Sequence, residues 1–288
     1  MNYSTQLSCI ILLVAINTFG QGKVQQAKIL FEQNKNDQVK KILTPITDKD
    51  VDFAAAQYYL GRVAYEEKKF DDATDFFEEA VEVSGTVADY HYWLGNAYRD
   101  KAMDSNMLSQ AMLASKMKKA WENAAALDAK NIDARVSLVE FYIGAPEFMG
   151  GSIDKAKEVA NQIGKLNTVE SSRQMGNIAN AEKEYDKAIT LFEIVLKENL
   201  EDYPSMYQLG KASALSGHKM ERGEECLKKY MGYTPQQGEA SHAVANMRLG
   251  QIKEKMGKKG EAKQLYQLAL KADDSLKEAK LGLERVSK

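Results

Sequence analysis

Residues 57–85 read QYYLGRVAYEEKKFDDATDFFEEAVEVSG, and everything else in the chain is spaced around this stretch. Apolar side chains fall at three- and four-residue steps through Leu60, Val63 and Ala64, pause over Glu66–Lys69, and resume through Ala73, Phe77, Ala80 and Val81. That spacing predicts two amphipathic helices joined by a three- or four-residue polar turn. The stretch also carries a period. Gly61 and Gly95 are 34 residues apart, Gly176 and Gly210 are again 34 apart, and a Leu or Met precedes each of the four. Helix pairs repeating at such a period bury their apolar faces on one another and make an array.

Leu60-Gly61, with Ala73, Phe77 and Ala80 at 12, 16 and 19 residues beyond the glycine, resembles the tetratricopeptide repeat (TPR). The set recurs as Met175-Gly176 with Ala188, Phe192 and Val195, and as Leu249-Gly250 with Ala262, Tyr266 and Ala269. The resemblance implies an all-α, TPR-like right-handed α-solenoid of antiparallel helix pairs, of the secreted or periplasmic bacterial type. On this reading residues 21–50 are a degenerate helical repeat and 51–288 the solenoid. Its repeats lie near 54–87, 88–131, 132–168, 169–202, 203–242 and 243–275, and 276–288 is a capping helix whose apolar face is Leu276, Ala279, Leu281, Leu283 and Val286.

The remaining copies depart from the period. Leu94-Gly95 opens a repeat with about ten extra residues before Met117, Trp121 and Ala124. The copy at Arg135, with Leu138, Val139 and Tyr142, has an expanded turn, GAPEFMGGSIDKA, in which the glycines supply positive φ and Ser152 caps the helix from Ile153. In the sixth, Arg222-Gly223 stands where the small alanine belongs, and the spacer YMGYTPQQGEASHA follows. Pro45 ends the second helix of the first pair. Insertions in a solenoid map to its rim, so 100–116, 144–152 and 231–242 are candidate discriminating surfaces.

Residues 1–20, MNYSTQLSCIILLVAINTFG, hold an apolar run from Cys9 to Ile16 that is too short to span a bilayer. They read as a signal peptide cut before Gln21, although the n-region lacks Lys and Arg. The protein is then exported, periplasmic or secreted, with no integral membrane segment after cleavage. A net charge of −2 gives no electrostatic reason to bind nucleic acid. Cys9 falls in the leader, which leaves Cys226 without an internal disulfide partner.

No HExxH, GxSxG, CxxC, GxxxxGK[ST] or GxGxxG occurs, and His218, Cys226 and His242 match no zinc spacing. No enzyme, cofactor or metal is expected. In TPR proteins the concave groove is lined by first-helix positions around the repeat glycine. Carried onto this chain, the resemblance places Tyr58, Arg62, Tyr65, Tyr92, Trp93, Asn96, Arg99, Glu140, Arg173, Asn177, Tyr207 and Lys211 in a partner-binding groove. The competing reading is that Tyr58, Tyr92 and Tyr207 only pack between neighbouring helices. The family's clamp for chaperone C-terminal carboxylates is incomplete: Arg173, Asn177 and Arg248 fit it, while Tyr207 and Val244 do not. The expected function is a scaffold or adaptor binding a protein or peptide segment. The alternative is a periplasmic accessory of an uptake or envelope-assembly system that binds a small molecule or glycan. Open aromatic grooves of this kind can also self-associate.

Overall fold

The computed structural model describes residues 22–103, 105–236 and 238–288, so the leader and Cys9 lie outside the described residues. Among these residues there are fifteen α-helices, one short 3-10 turn and no strand. They fall into two compact units, one ending at Ala134 and one starting at Arg135. The first unit holds the pairs α1 (Lys23–Glu32) and α2 (Asn36–Leu43), α3 (Phe53–Glu66) and α4 (Phe70–Val83), α5 (Ala88–Met103) and α6 (Met107–Leu127). At the boundary α7 (Ile132–Gly144) begins, pairing in sequence with α8 (Ile153–Gly164). The second unit continues with α9 (Thr168–Ala181) and α10 (Tyr185–Glu198), α11 (Tyr203–Ser216) and α12 (Met220–Tyr230), α13 (His242–Lys255) and α14 (Lys259–Ala272), and the single α15 (Lys277–Ser287).

Five of the pairs, α3/α4, α5/α6, α9/α10, α11/α12 and α13/α14, are locked by a large side chain of the second helix pressed on a glycine of the first. A methyl group added to Gly61 would lie 2.7 Å from the Phe77 ring, and one on Gly176 would lie 2.7 Å from Phe192. Phe77 and Phe192 have no solvent exposure. Trp121 takes the same place against Gly95, at 2.5 Å. A larger ring on a longer helix explains this irregular copy: the extra residues extend both α5 and α6, which run 16 and 21 residues where the regular helices run 14. The indole Nε1–H donates to Asn96 Oδ1 at 3.2 Å, which satisfies a donor that burial would otherwise strand.

The turns after α1, α3, α9, α11 and α13 each reverse the chain through a left-handed residue. Asn34, Lys68, Lys183, Lys219 and Gly257 all have positive φ. After α3 the Lys69 N–H reaches back to the Ala64 carbonyl at 2.9 Å, and after α9 Glu184 does the same to Ala179 at 2.8 Å, a Schellman closure of the helix end. The sixth copy adds one residue here: Gly217 is also left-handed, and α12 begins one position late. The register therefore shifts. Gly223 rather than residue 222 packs against Ser213, and Leu227 rather than an aromatic meets Gly210.

In the expanded turn after α7 only the first of the two glycines takes the expected positive φ, and the second serves a close approach instead. Gly150 has φ +100, Gly151 leaves no room for a side chain against the Ala145 carbonyl, and Ser152 Oγ accepts from the Lys155 N–H at 3.3 Å to start α8. Pro45 follows α2, which stops at Leu43. At the C-terminus α15 covers α13 and α14, with Ala279 and Val286 buried and Arg285 paired to Glu254 at 2.7 Å. One expected cap residue faces outward instead. Leu281 is exposed, because Gly282, the next position round the helix, is the one set against Tyr266.

The ring-on-glycine contact and the left-handed turn give opposite stability expectations. Gly176→Ala overpacks a seat with no slack and should cost about 1–3 kcal/mol. Lys183→Gly removes the strain of a side chain at φ 64 and should stabilise by up to about 1–2 kcal/mol. Thermal unfolding of the two variants should move Tm down and up respectively.

Candidate functional site

In the first unit the expected groove residues assemble into one aromatic and ionic cluster. Tyr58 is buried, stacks on Tyr90 with centroids 4.9 Å apart, and accepts a hydrogen bond from the Arg62 guanidinium at 3.0 Å. Arg62 lies 3.7 Å from the Trp93 ring centroid and 4.9 Å from that of Phe31, so aromatic faces already hold its charge. Tyr65 meets Trp93 edge-on and donates to Asp100, while Arg99 binds Asp100 at 2.8 Å and Tyr65 Oη at 3.2 Å. Burial, followed by the hydrogen bond to Asp100, pushes the Tyr65 phenol well above its ordinary range. Tyr92 sits edge-on to Trp93 and is half-buried. Asn96 turns inward to Trp121. Most polar groups of this face are spent on one another, with Gln57 Oε1 and Arg62 Nε the buried exceptions.

The second unit is different. Its expected residues Glu140, Arg173, Asn177 and Tyr207 line one cavity of about 540 Å³, bounded by α7, α9, α11 and the spacer before α13. Lys211 sits one turn further along α11, half-buried, and has neither a hydrogen bond nor an ion pair among the described residues. Burial, and then the nearby Arg248, lower its pKa. The two arginines that fit a carboxylate clamp are taken. Arg173 is bridged to Glu170 and Asp202, and Arg248 donates to Glu278 at 2.7 Å and Gln251 at 2.9 Å. Neither guanidinium is left open for a carboxylate ligand.

One wall of the cavity is made by Gly238, Glu239 and Ala240 of the spacer before α13, beside the N-terminal half of α11. Three contacts hold it there. The Tyr203 and Tyr233 rings stack with centroids 4.7 Å apart and planes 7° from parallel. Tyr230 Oη donates to the Ala240 carbonyl at 2.6 Å, and a His242 ring nitrogen lies 2.8 Å from the Tyr233 carbonyl oxygen. Burial raises the Tyr230 phenol to about 12, so it remains a donor at any ordinary pH. Gly238, at φ +89, turns the loop so that Glu239 and Ala240 line the cavity.

Two buried polar atoms on the cavity lining lack partners: Asn177 Oδ1 and Ser205 Oγ. Buried groups of this kind are normally satisfied, so an unfilled pair on a cavity wall is an opening for a ligand or water. Ser205, Gln208 and Glu239 also line the cavity, and of these the groove expected from the sequence left out Ser205 and Glu239. Ser205 and Gln208 flank the expected Tyr207 on the same helix. Glu239 was placed only within a candidate rim segment, because nothing in a spacer's composition says which way it folds. His218, Cys226 and His242 have separate neighbours: Asp186, the α9–α12 core and the Tyr233 carbonyl. Burial pushes the Cys226 thiol up to about 11, so it is an inert packed group at neutral pH.

Comparison with known families and structures gives the fold its relatives. Tetratricopeptide repeat family models match residues 24–86 and 243–275. A sequence search of curated proteins finds no match. Among solved structures, a tetratricopeptide repeat protein from Parabacteroides merdae is similar with a TM-score of 0.64 at 12% identity, over 92% of this chain and 98% of that one. The APC/C hetero-tetramer Cut9-Hcn1 gives 0.70 at 13% identity, over 92% of this chain and 49% of that one. PilW, described as a type IV pilus biogenesis factor, gives 0.61 at 13% identity, over 82% and 98%. At these identities the likeness is one of fold. No helix of the described residues is long and apolar enough to cross a membrane.

The tyrosine anchor of the spacer is directly testable. Tyr230→Phe removes one hydrogen bond worth about 0.5–1.5 kcal/mol while keeping the ring. Amide hydrogen exchange across 231–241 should accelerate several-fold, with helix α12 itself little changed.

Proposed function

We propose that this tetratricopeptide-repeat chain is a non-enzymatic scaffold, and that it binds a segment of a partner protein across the A-helix face of its second unit. The observation that carries the reading is the contrast between the two units. In the first, Tyr65, Arg99 and Asp100 pair with one another and the Arg62 guanidinium is packed among aromatic rings with its Nε unpartnered, but among the described residues no cavity opens on them; the second keeps a cavity lined by two unpartnered buried polar atoms, with an unpaired half-buried lysine beside it. Recognition sites of this type combine apolar walls with a few placed polar groups. A spacer pinned over one side gives a shape that a bare repeat lacks.

We further propose that residues 1–20 direct export and are removed before Gln21, which places the scaffold in the periplasm or outside the cell. The small-molecule reading draws support from one quantity. A cavity of about 540 Å³ falls inside the range of roughly 300–1,000 Å³ usual for small ligands. A soluble-glycan or small-ligand accessory of an envelope system is therefore the second reading.

Affinity capture with in-cell crosslinking separates them. The tagged chain, recovered from an envelope fraction and starting at Gln21 by terminal sequencing, should crosslink one stoichiometric protein through Lys211. Gln208→Trp, which fills the cavity, should abolish that crosslink without lowering Tm by more than a few degrees. Crosslinking that ignores Gln208→Trp would sink the segment-binding site. A thermal shift with small ligands and no captured protein would favour the second reading.

A further inference from the structure

The charges around the second unit's cavity do not choose its occupant. Arg173 is spent on Glu170 and Asp202, which lie off the lining, Glu140 has a partner within the chain, and one Glu239 oxygen accepts the Gln236 N–H at 2.8 Å. The unpaired Lys211 stands beside these carboxylates with the opposite sign. The atoms left open on the lining are neutral: Asn177 Oδ1 and Ser205 Oγ.

A relay along α9 fixes the polarity of the first atom. The Glu170 carboxylate can only accept, so Gln174 turns its Nε2 toward it, at 2.8 Å. Gln174 Oε1 then faces Asn177, which offers its Nδ2 at 3.4 Å and keeps Oδ1 as a bare acceptor. Ser205 is 1% exposed. Its backbone N–H donates to Asp202 Oδ1 at 3.0 Å, and its hydroxyl, without a partner, can both donate and accept.

The two residues lie at one level of the helix pair. Arg173 meets Asp202, and two turns on Asn180 Nδ2 donates to the Gln208 carbonyl at 3.2 Å. These contacts advance in the same direction along both helices, so α9 and α11 run parallel, with Asn177 and Ser205 each between the two contacts. The Tyr207 and Tyr230 rings complete the lining with apolar surface.

We propose that this cavity takes up a primary carboxamide, the side-chain end of a Gln or Asn on the bound segment. The inference rests on the segment-binding reading above and adds its chemistry. One planar group carries both halves that the wall lacks: its N–H donates to Asn177 Oδ1, and its carbonyl oxygen accepts from the Ser205 hydroxyl. Its methylenes lie along the two tyrosines. A carboxylate brings no donor for Asn177, and an ammonium brings no acceptor for the Ser205 O–H and adds positive charge beside Lys211.

The test is selection from a random peptide library displayed on phage, with the whole chain as bait, followed by affinity measurement on synthetic peptides. Selected peptides should share one Gln or Asn, and replacing it by Glu, Lys or Met should weaken binding by about ten-fold or more, because the wall's polar atoms are then left unpaired. Ser205→Ala and, separately, Asn177→Leu should weaken the carboxamide peptide several-fold while barely changing the Met peptide, a coupling that simple misfolding cannot mimic. Peptides that need an open cavity, shown by loss with Gln208→Trp, but share no Gln or Asn, or bind equally well to Ser205→Ala and Asn177→Leu, would overturn the inference and leave the groove reading standing. Peptides indifferent to Gln208→Trp, or no selected peptides at all, would overturn the groove reading and this inference with it.

Discussion

A ring seated on a glycine is the contact on which the structure depends. Helix A and helix B of a pair can approach closely only where one of them has no side chain, and the space left is filled by Phe77, Trp121, Phe192 or Tyr266. The contact does two things at once. It excludes water from the centre of each pair, and it fixes which face of the first helix points inward, so the opposite face is determined as well. The groove residues of α3, α5, α9 and α11 take their direction from that seat.

The irregular copies show how the seat survives change. When one residue is added at Gly217, the whole second helix advances by one, and Gly223 and Leu227 take over from the residues the regular spacing would select. When about ten residues are added after Gly95, both helices lengthen and a tryptophan replaces phenylalanine, with Asn96 recruited to satisfy the indole N–H. Insertion lengthens helices or loops around the seat and leaves the seat itself intact. In an array stabilised by neighbour contacts, that tolerance is expected.

The two units use the same face for different ends. In the first, Tyr58, Tyr65, Arg99 and Asp100 are hydrogen-bonded within the cluster and Arg62 is held among aromatic rings, so the face is largely a polar extension of the core. In the second, Arg173 and Arg248 are neutralised by carboxylates brought from the next repeat, while Asn177 Oδ1, Ser205 Oγ and the Lys211 ammonium are left without partners. The spacer, held by stacked tyrosines, converts that incomplete face into a walled cavity. A surface that has spent its hydrogen bonds internally has little to offer a ligand, and one that has not is costly until something fills it.

The amino-acid sequence by itself determined the helix pairs and, in the regular repeats, their turns and ring-on-glycine seats, because these rest on local periodicity and on glycine and ring 16 positions apart, as in Gly61–Phe77 and Gly176–Phe192. Leu60-Gly61 with Ala73 and Phe77 is such a set, and so are Gly150 and Ser152 in the long turn. It also placed Arg173, Asn177 and Tyr207 on one face. Only the tertiary structure decided which of those side chains were already engaged. Arg173 meets Asp202 across 29 residues and Arg248 meets Glu278 across 30. Asn96 turns to Trp121 across 25, and the spacer folds Glu239 back over α11. Such pairings depend on how one repeat is set against the next and on how a loop without periodicity is pinned, and neither leaves a spacing in the chain to be read.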